Sequence, residues 1–168
     1  MLINNIQVSF IAFAAGIFAC IGTAAVLIFN GVNIGLAGGL FHSIGEPAKF
    51  WGLILPHGLL ELSAVVVAGA AGLRMGWSII APGDRTRMAA LADEGRRSVV
   101  IALGLVLAFV VAGLIEGFVT PSGLPTALRI AIGALALAVP VVAVVTRGRA
   151  GAAAGWTGQL GEREPVRP

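Results

Sequence analysis

The sequence predicts an all-α polytopic membrane protein with about four transmembrane helices and one short interfacial or re-entrant helix. Three observations predict it. Of the 168 residues, 58% are hydrophobic and only 11% are charged, whereas a soluble domain carries about 25% charged residues. The apolar residues gather into four runs, each close to the ~20 residues a helix needs to cross a hydrocarbon core of ~30 Å. Glycine is abundant, at 24 residues, and small residues let helix backbones approach closely in lipid. No long polar stretch offers a second domain. Residues 1–149 therefore read as one transmembrane helical domain. Residues 150–168 read as a polar, disordered cytoplasmic tail with too little apolar surface to fold alone.

The first predicted span, 6–29, carries no charge. Asn4, Asn5 and Gln7 precede it as an interfacial end, and Asn30-Gly-Val-Asn33 ends or kinks it. Residues 41–55 mix the breakers Gly45 and Pro47 with Phe50 and Trp51, aromatics suited to a membrane–water boundary. A short interfacial or re-entrant helix is expected there, with Glu46 and Lys49 facing water. Pro56 fits the first turn of a helix, so the second span is placed at 56–80. A start at Phe50 would give a helix of roughly 46 Å, longer than the core needs. Arg74 near its far end can snorkel to the headgroups. Residues 81–97 form the main polar loop, where Asp84 can cap a short amphipathic helix bearing Met88, Leu91 and Ala92 on one side. The third span is 98–119 and contains Glu116. A tight turn follows at 120–125, and the fourth span is 127–146, with Arg129 near its start and Pro140 as a kink point.

Charge sets the orientation. The chain has eleven Lys and Arg and a net charge of +3. With the 81–97 loop inside, only Lys49 and Arg129 fall outside, which satisfies the positive-inside rule and puts both termini in the cytoplasm. The protein is accordingly expected in the cell membrane as a multi-pass protein. The basic residues flank apolar runs and are not interleaved with exposed aromatics, so nucleic acid is not an expected partner. Cys20 alone excludes an intrachain disulfide and a multi-cysteine metal site. Phe18-Ala-Cys20 lacks the basic segment of a signal peptide ahead of it, and Cys20 reads as an inert, buried thiol.

The stretch Ile54-Leu-Pro-His-Gly-Leu-Leu-Glu61 carries the polar residues that matter most. His57 and Glu61 are four apart and share a helix face one turn apart. The predicted topology puts them at similar depth in the outer leaflet with Glu116, Asn30 and Asn33, with His42 in the outer loop nearby. Ionisable groups in a membrane are costly and need compensation. Three uses stay open. The cluster can be structural glue between helices. It can be a metal site, with His57, Glu61 and Glu116, and His42 beside them, supplying nitrogen and oxygen ligands to one divalent ion. It can be a partner, ligand or proton-relay site. No catalytic residue is assigned: Ser63 lies six residues from His57 on another face, and no phosphate-binding glycine loop is present. No cofactor is expected beyond that alternative metal ion.

Asn4-Asn-Ile-Gln-Val-Ser-Phe, Phe29-Asn-Gly-Val, Ile54-Leu-Pro-His-Gly-Leu-Leu-Glu-Leu-Ser-Ala, Ala68-Gly-Ala-Ala-Gly-Leu-Arg, Gly95-Arg and Ala112-Gly-Leu-Ile-Glu-Gly-Phe-Val-Thr-Pro-Ser resemble the stage II sporulation protein M family of integral membrane proteins over about residues 3–135. The resemblance implies a helical membrane protein. It also implies a scaffold or anchor role, since the family's namesake anchors two peptidoglycan-degrading partners during forespore engulfment. Expected partners are thus the bilayer and extracytoplasmic peptidoglycan hydrolases. Gly-x-x-x-Gly pairs at 35–39, 72–76 and 113–117 permit homo-oligomers or packing within one chain. A small transporter-like component, or a metal-dependent intramembrane hydrolase, is the alternative function.

Overall fold

The structure, a computed structural model, describes residues 2–156. Every regular element among them is helical. The helices are α1 (Leu2–Ala14, continued by a 3-10 turn over Ala15–Ile17), α2 (Ile21–Ser43), α3 (Pro47–Ile80), α4 (Arg87–Leu114, continued by a π-helical turn over Ile115–Val119) and α5 (Thr126–Ala153). Four are long and apolar enough to cross a membrane: α2, α3, α4 with its π turn, and α5.

α3 is the axis of the bundle and touches every other helix. Its 34 residues extend over ~51 Å. The pairings fix each direction. α1 runs beside α3 in the same sense, with Asn5 at Glu61 and Gly16 at Gly72. α2 returns the other way, with Leu27 at Gly69 and Gly38 at Phe50. α4 also opposes α3, with Glu94 at Arg74 and Thr120 at His57. α5 descends again, with Thr126 at Gly52 and Gly133 at Pro56. One end of the bundle, here the upper, holds turns 44–46 and 120–125. The lower end holds turns 18–20 and 81–86. The inner core is Ala64 and Val65 of α3 against Phe109 of α4, flanked by Ile6, Val8 and Leu27.

The first apolar run differs from the expected single span at 6–29. It is split at Ala19 and Cys20, which hold left-handed backbone angles (φ 49° and 72°). Non-glycine residues take that conformation at a cost of about 1–2 kcal/mol each. Compensation comes from the hairpin it closes. The buried Thr23 hydroxyl donates to the Ala12 carbonyl at 2.7 Å, and Cys20 Sγ reaches the Leu73 carbonyl at 3.2 Å. Gly16 and Gly72 pack backbone against backbone, where a Cβ on either would collide with the other chain segment. α1 is therefore a short helix lying along α3, and α2 is the first full-length apolar helix. Residues 2–5 accordingly stand at the level of Glu61, above the lower end toward which α5 runs.

The predicted break at Pro56 is also absent, and α3 is continuous from Pro47. Pro47 takes the favoured first-turn position instead. Pro56 is nearly fully buried inside the helix, and Gly133 of α5 presses against its backbone with no side chain between. The interfacial helix expected over 41–55 is thus divided between the end of α2 and the start of α3. Nor does Asp84 cap a separate amphipathic helix. Thr86 is the cap, its Oγ1 accepting from Ala89 N at 3.2 Å, and α4 continues unbroken through Ser98. Met88 is exposed and Ala90 is the buried residue of that turn. Arg74 does more than snorkel. Its Nε lies 2.9 Å from Glu94 Oε2, while Arg97 Nη1 holds Oε1 at 3.2 Å, so Glu94 ties α3 to α4 at the lower end. At the other terminus, residues 150–153 belong to α5, and the expected disordered tail otherwise falls largely on 157–168, outside the described residues.

Candidate functional site

The upper half of the bundle contains a cavity of about 230 Å³ between α1, α2 and α3. Three helices bring polar residues to it. The first turns of α1 supply Asn4 and Asn5, the middle of α2 supplies Asn30 and Asn33, and α3 supplies His57 and Glu61. Ile34, Phe50 and Ile54 form its apolar wall. The turn at 18–20 creates this arrangement. By doubling the chain back, it sets the amino end of α1 beside the α2 asparagines and opposite Glu61.

Glu61 is 2% exposed. Its Oε2 accepts a 2.6 Å hydrogen bond from Asn5 Nδ2, while Oε1 is buried and accepts no hydrogen bond among the described residues. Asn33 donates to the Phe29 carbonyl one turn earlier, at 2.7 Å. His57, 4% exposed, makes a different link. Its Nδ1 is 3.3 Å from Thr120 Oγ1, and the Thr120 hydroxyl is 3.2 Å from the Ile115 carbonyl. A hydroxyl has one hydrogen to give. If it goes to Ile115, His57 Nδ1 is the donor to Thr120, and a neutral ring carries its free lone pair on Nε2.

Thr120 is a junction for three helices. Besides His57 of α3, Arg129 of α5 reaches it, Nη1 donating to the Thr120 carbonyl at 2.5 Å and Nη2 to Thr126 Oγ1 at 2.9 Å. The π turn at 115–119 widens the helix end just before this junction. Such insertions recur at functional sites because they redirect side chains. Glu116 lies in that turn, close enough to both His57 and Glu61 to act on them electrostatically.

Of the five residues expected to cluster, His57, Glu61, Asn30 and Asn33 line one cavity, and Glu116 is an electrostatic neighbour outside its wall. His42 is elsewhere. Its Nδ1 is bonded to the Gly38 carbonyl at 2.7 Å, and its ring meets Trp51 edge-on near the α2–α3 turn. Among the described residues, no three of His, Cys, Asp and Glu come together as metal ligands, so His57, Glu61 and Glu116 do not form a ready three-ligand set. Asn4, Asn5, Thr120 and Arg129 were not expected among the site residues. Asn4 and Asn5 read as an interfacial end, because the chain reversal that returns them to the cavity wall has no polar marker.

The chain matches the family described as Stage II sporulation protein M over residues 1–121. The chain belongs to the stage II sporulation protein M family. The matched segment contains all of α1–α3 and α4 through its π turn, and so every residue of the cavity. Uncharacterized protein MJ0793 of Methanocaldococcus jannaschii is 31% identical over 123 residues, covering 72% of this chain and 69% of that relative. No solved structure matches. In this family member, then, a polar cavity and four membrane-length helices occur in one bundle.

Proposed function

We propose that this stage II sporulation protein M family member is a membrane anchor that gathers cell-envelope proteins, with peptidoglycan-remodelling enzymes as its partners. The lower end faces the cytoplasm in this reading, because it carries Arg74, Arg85, Arg87, Arg96, Arg97, Arg147 and Arg149 against Lys49 and Arg129 at the upper end. The observation that carries the anchor role is the distribution of burial. Half of the apolar window of α3 is buried within the chain, but only 6% of the windows of α2 and α5. Two of four membrane-length helices thus leave most of their residues exposed to their surroundings, lipid or partner helices. A photo-crosslinking residue at Leu36 on α2 and at Val144 on α5, both exposed, tests it in cells. The expected adducts contain a peptidoglycan-degrading protein. Adducts to lipid alone at both positions would contradict the anchor role.

The cavity favours a second reading, a small transporter component. Transport needs a polar path to the lower end. Next below Glu61 on α3, Ala64, Val65 and Ala68 are buried and apolar, and Ala64 and Val65 meet Phe109 of α4, while the buried Ser9, Thr23, Ser78, Glu94 and Ser98 are interspersed with apolar residues; the anchor reading is preferred on the apolar α3–α4 contact.

A further inference from the structure

We propose that the cavity beside Glu61 is a binding site for a small organic cation, a primary ammonium on a short apolar stem. This is independent of the anchor reading. A volume of about 230 Å³ exceeds by several times the ~30 Å³ that one water occupies in the liquid. Its wall, as far as the described residues form it, is rich in acceptors. Among the described residues no Lys or Arg lines it. Lys49 is engaged outside with Glu46, and Arg129 with Thr120 and Thr126. A carboxyl group buried at this depth is costly unless a cation or hydrogen-bond donors meet it. Among the described residues Glu61 has one donor, Asn5, on Oε2, and none on Oε1.

Two neighbouring amides keep acceptor capacity. Asn5 and Asn33 spend an NH₂ hydrogen on Glu61 and on the Phe29 carbonyl, which leaves their carbonyl oxygens as acceptors. An ammonium has three N–H donors and no acceptor, which complements that set. A carboxylate or phosphate ligand would instead meet Glu61 with Glu116 near it. Ile34 of α2 and Ile54 of α3 supply apolar lining suited to a short alkyl stem.

The test is titration calorimetry of the full-length protein in detergent with n-butylammonium chloride, beside n-butanol and butyrate. Saturable binding of butylammonium alone is expected. Glu61→Gln keeps an oxygen for Asn5 and removes the charge, so its affinity should fall about tenfold or more, as for loss of a charge-assisted hydrogen bond. Arg85→Ala, far from the cavity, should bind like the wild type. Should the Gln variant fail to fold, Ile54→Trp provides the check: it fills the cavity, keeps Glu61, and should abolish binding. The proposal is overturned if butanol binds as tightly as butylammonium, if a folded Glu61→Gln binds equally well, if Ile54→Trp still binds, or if the wild type does not saturate. An ethanolamine lipid headgroup presents the same ammonium. Weakening of butylammonium binding in nanodiscs of ethanolamine lipid, relative to glycerol lipid, assigns the site to that headgroup; equal binding in both assigns it to a free amine.

Discussion

At the scale of single residues, Glu61 and Thr120 carry the most consequence. Glu61 is held by one amide, Asn5 Nδ2 at 2.6 Å. Asn5→Leu removes that donor and should destabilise the protein by about 1.5–3 kcal/mol, the range for hydrogen bonds to charged groups. Chemical unfolding in detergent reads it. Thr120→Val removes the hydroxyl shared by His57 and the Ile115 carbonyl and should cost ~1–3 kcal/mol, with Thr120→Ser recovering most of it; a loss in Thr120→Ser with none in Thr120→Val would show that the methyl group, not the hydroxyl, matters. His57 and Glu61 stood out in the sequence because a charge and an imidazole interrupt an apolar helix at i,i+4. Their contacts did not. Asn5 is 56 residues from Glu61 and Thr120 is 63 from His57, and no local pattern encodes partners at that separation.

At the scale of elements, glycine spacing decides what packs and what stays open. Gly72 meets α1 and Thr23 with no room for a side chain, as Gly133 does against Pro56. Gly72→Val should therefore cost at least about 1–3 kcal/mol through overpacking. Gly31, Gly35 and Gly39 on α2 have nothing near where a Cβ would stand. Gly35→Ala should be neutral or stabilising by up to ~1 kcal/mol, the helix-propensity difference. Thermal melting of the two variants side by side separates these roles. The existence of α3, α4 and α5 was legible from apolar run length. The turn between α1 and α2 was not, because 18–20 is Phe-Ala-Cys, without proline, glycine or a polar group. The available clue was Gly16 and Gly22 on either side of it, where small size allows the reversal. Pro56 misled for the opposite reason. Proline is normally a helix start or break, but here tertiary packing against Gly133 keeps it inside a continuous helix.

At the scale of the molecule, one long helix organises the rest. α3 meets every other helix, Glu94 clamps its lower end to α4, and Thr120 joins its upper part to α4 and α5. The short α1 is the part that sets the candidate site, because it alone brings Asn4 and Asn5 to the cavity. This is the central claim, and it differs sharply from a first helix running straight through residues 6–29, which would put residue 5 at the lower end. Cross-linking decides between them most directly. In a Cys20→Ser background, cysteines replace Asn5 and Glu61 in one variant, and Asn5 and Arg74 in another, and each is treated in membranes with a short bifunctional thiol reagent. The account predicts an intramolecular cross-link in the 5–61 pair and none in the 5–74 pair. A cross-link in the 5–74 pair alone would contradict it.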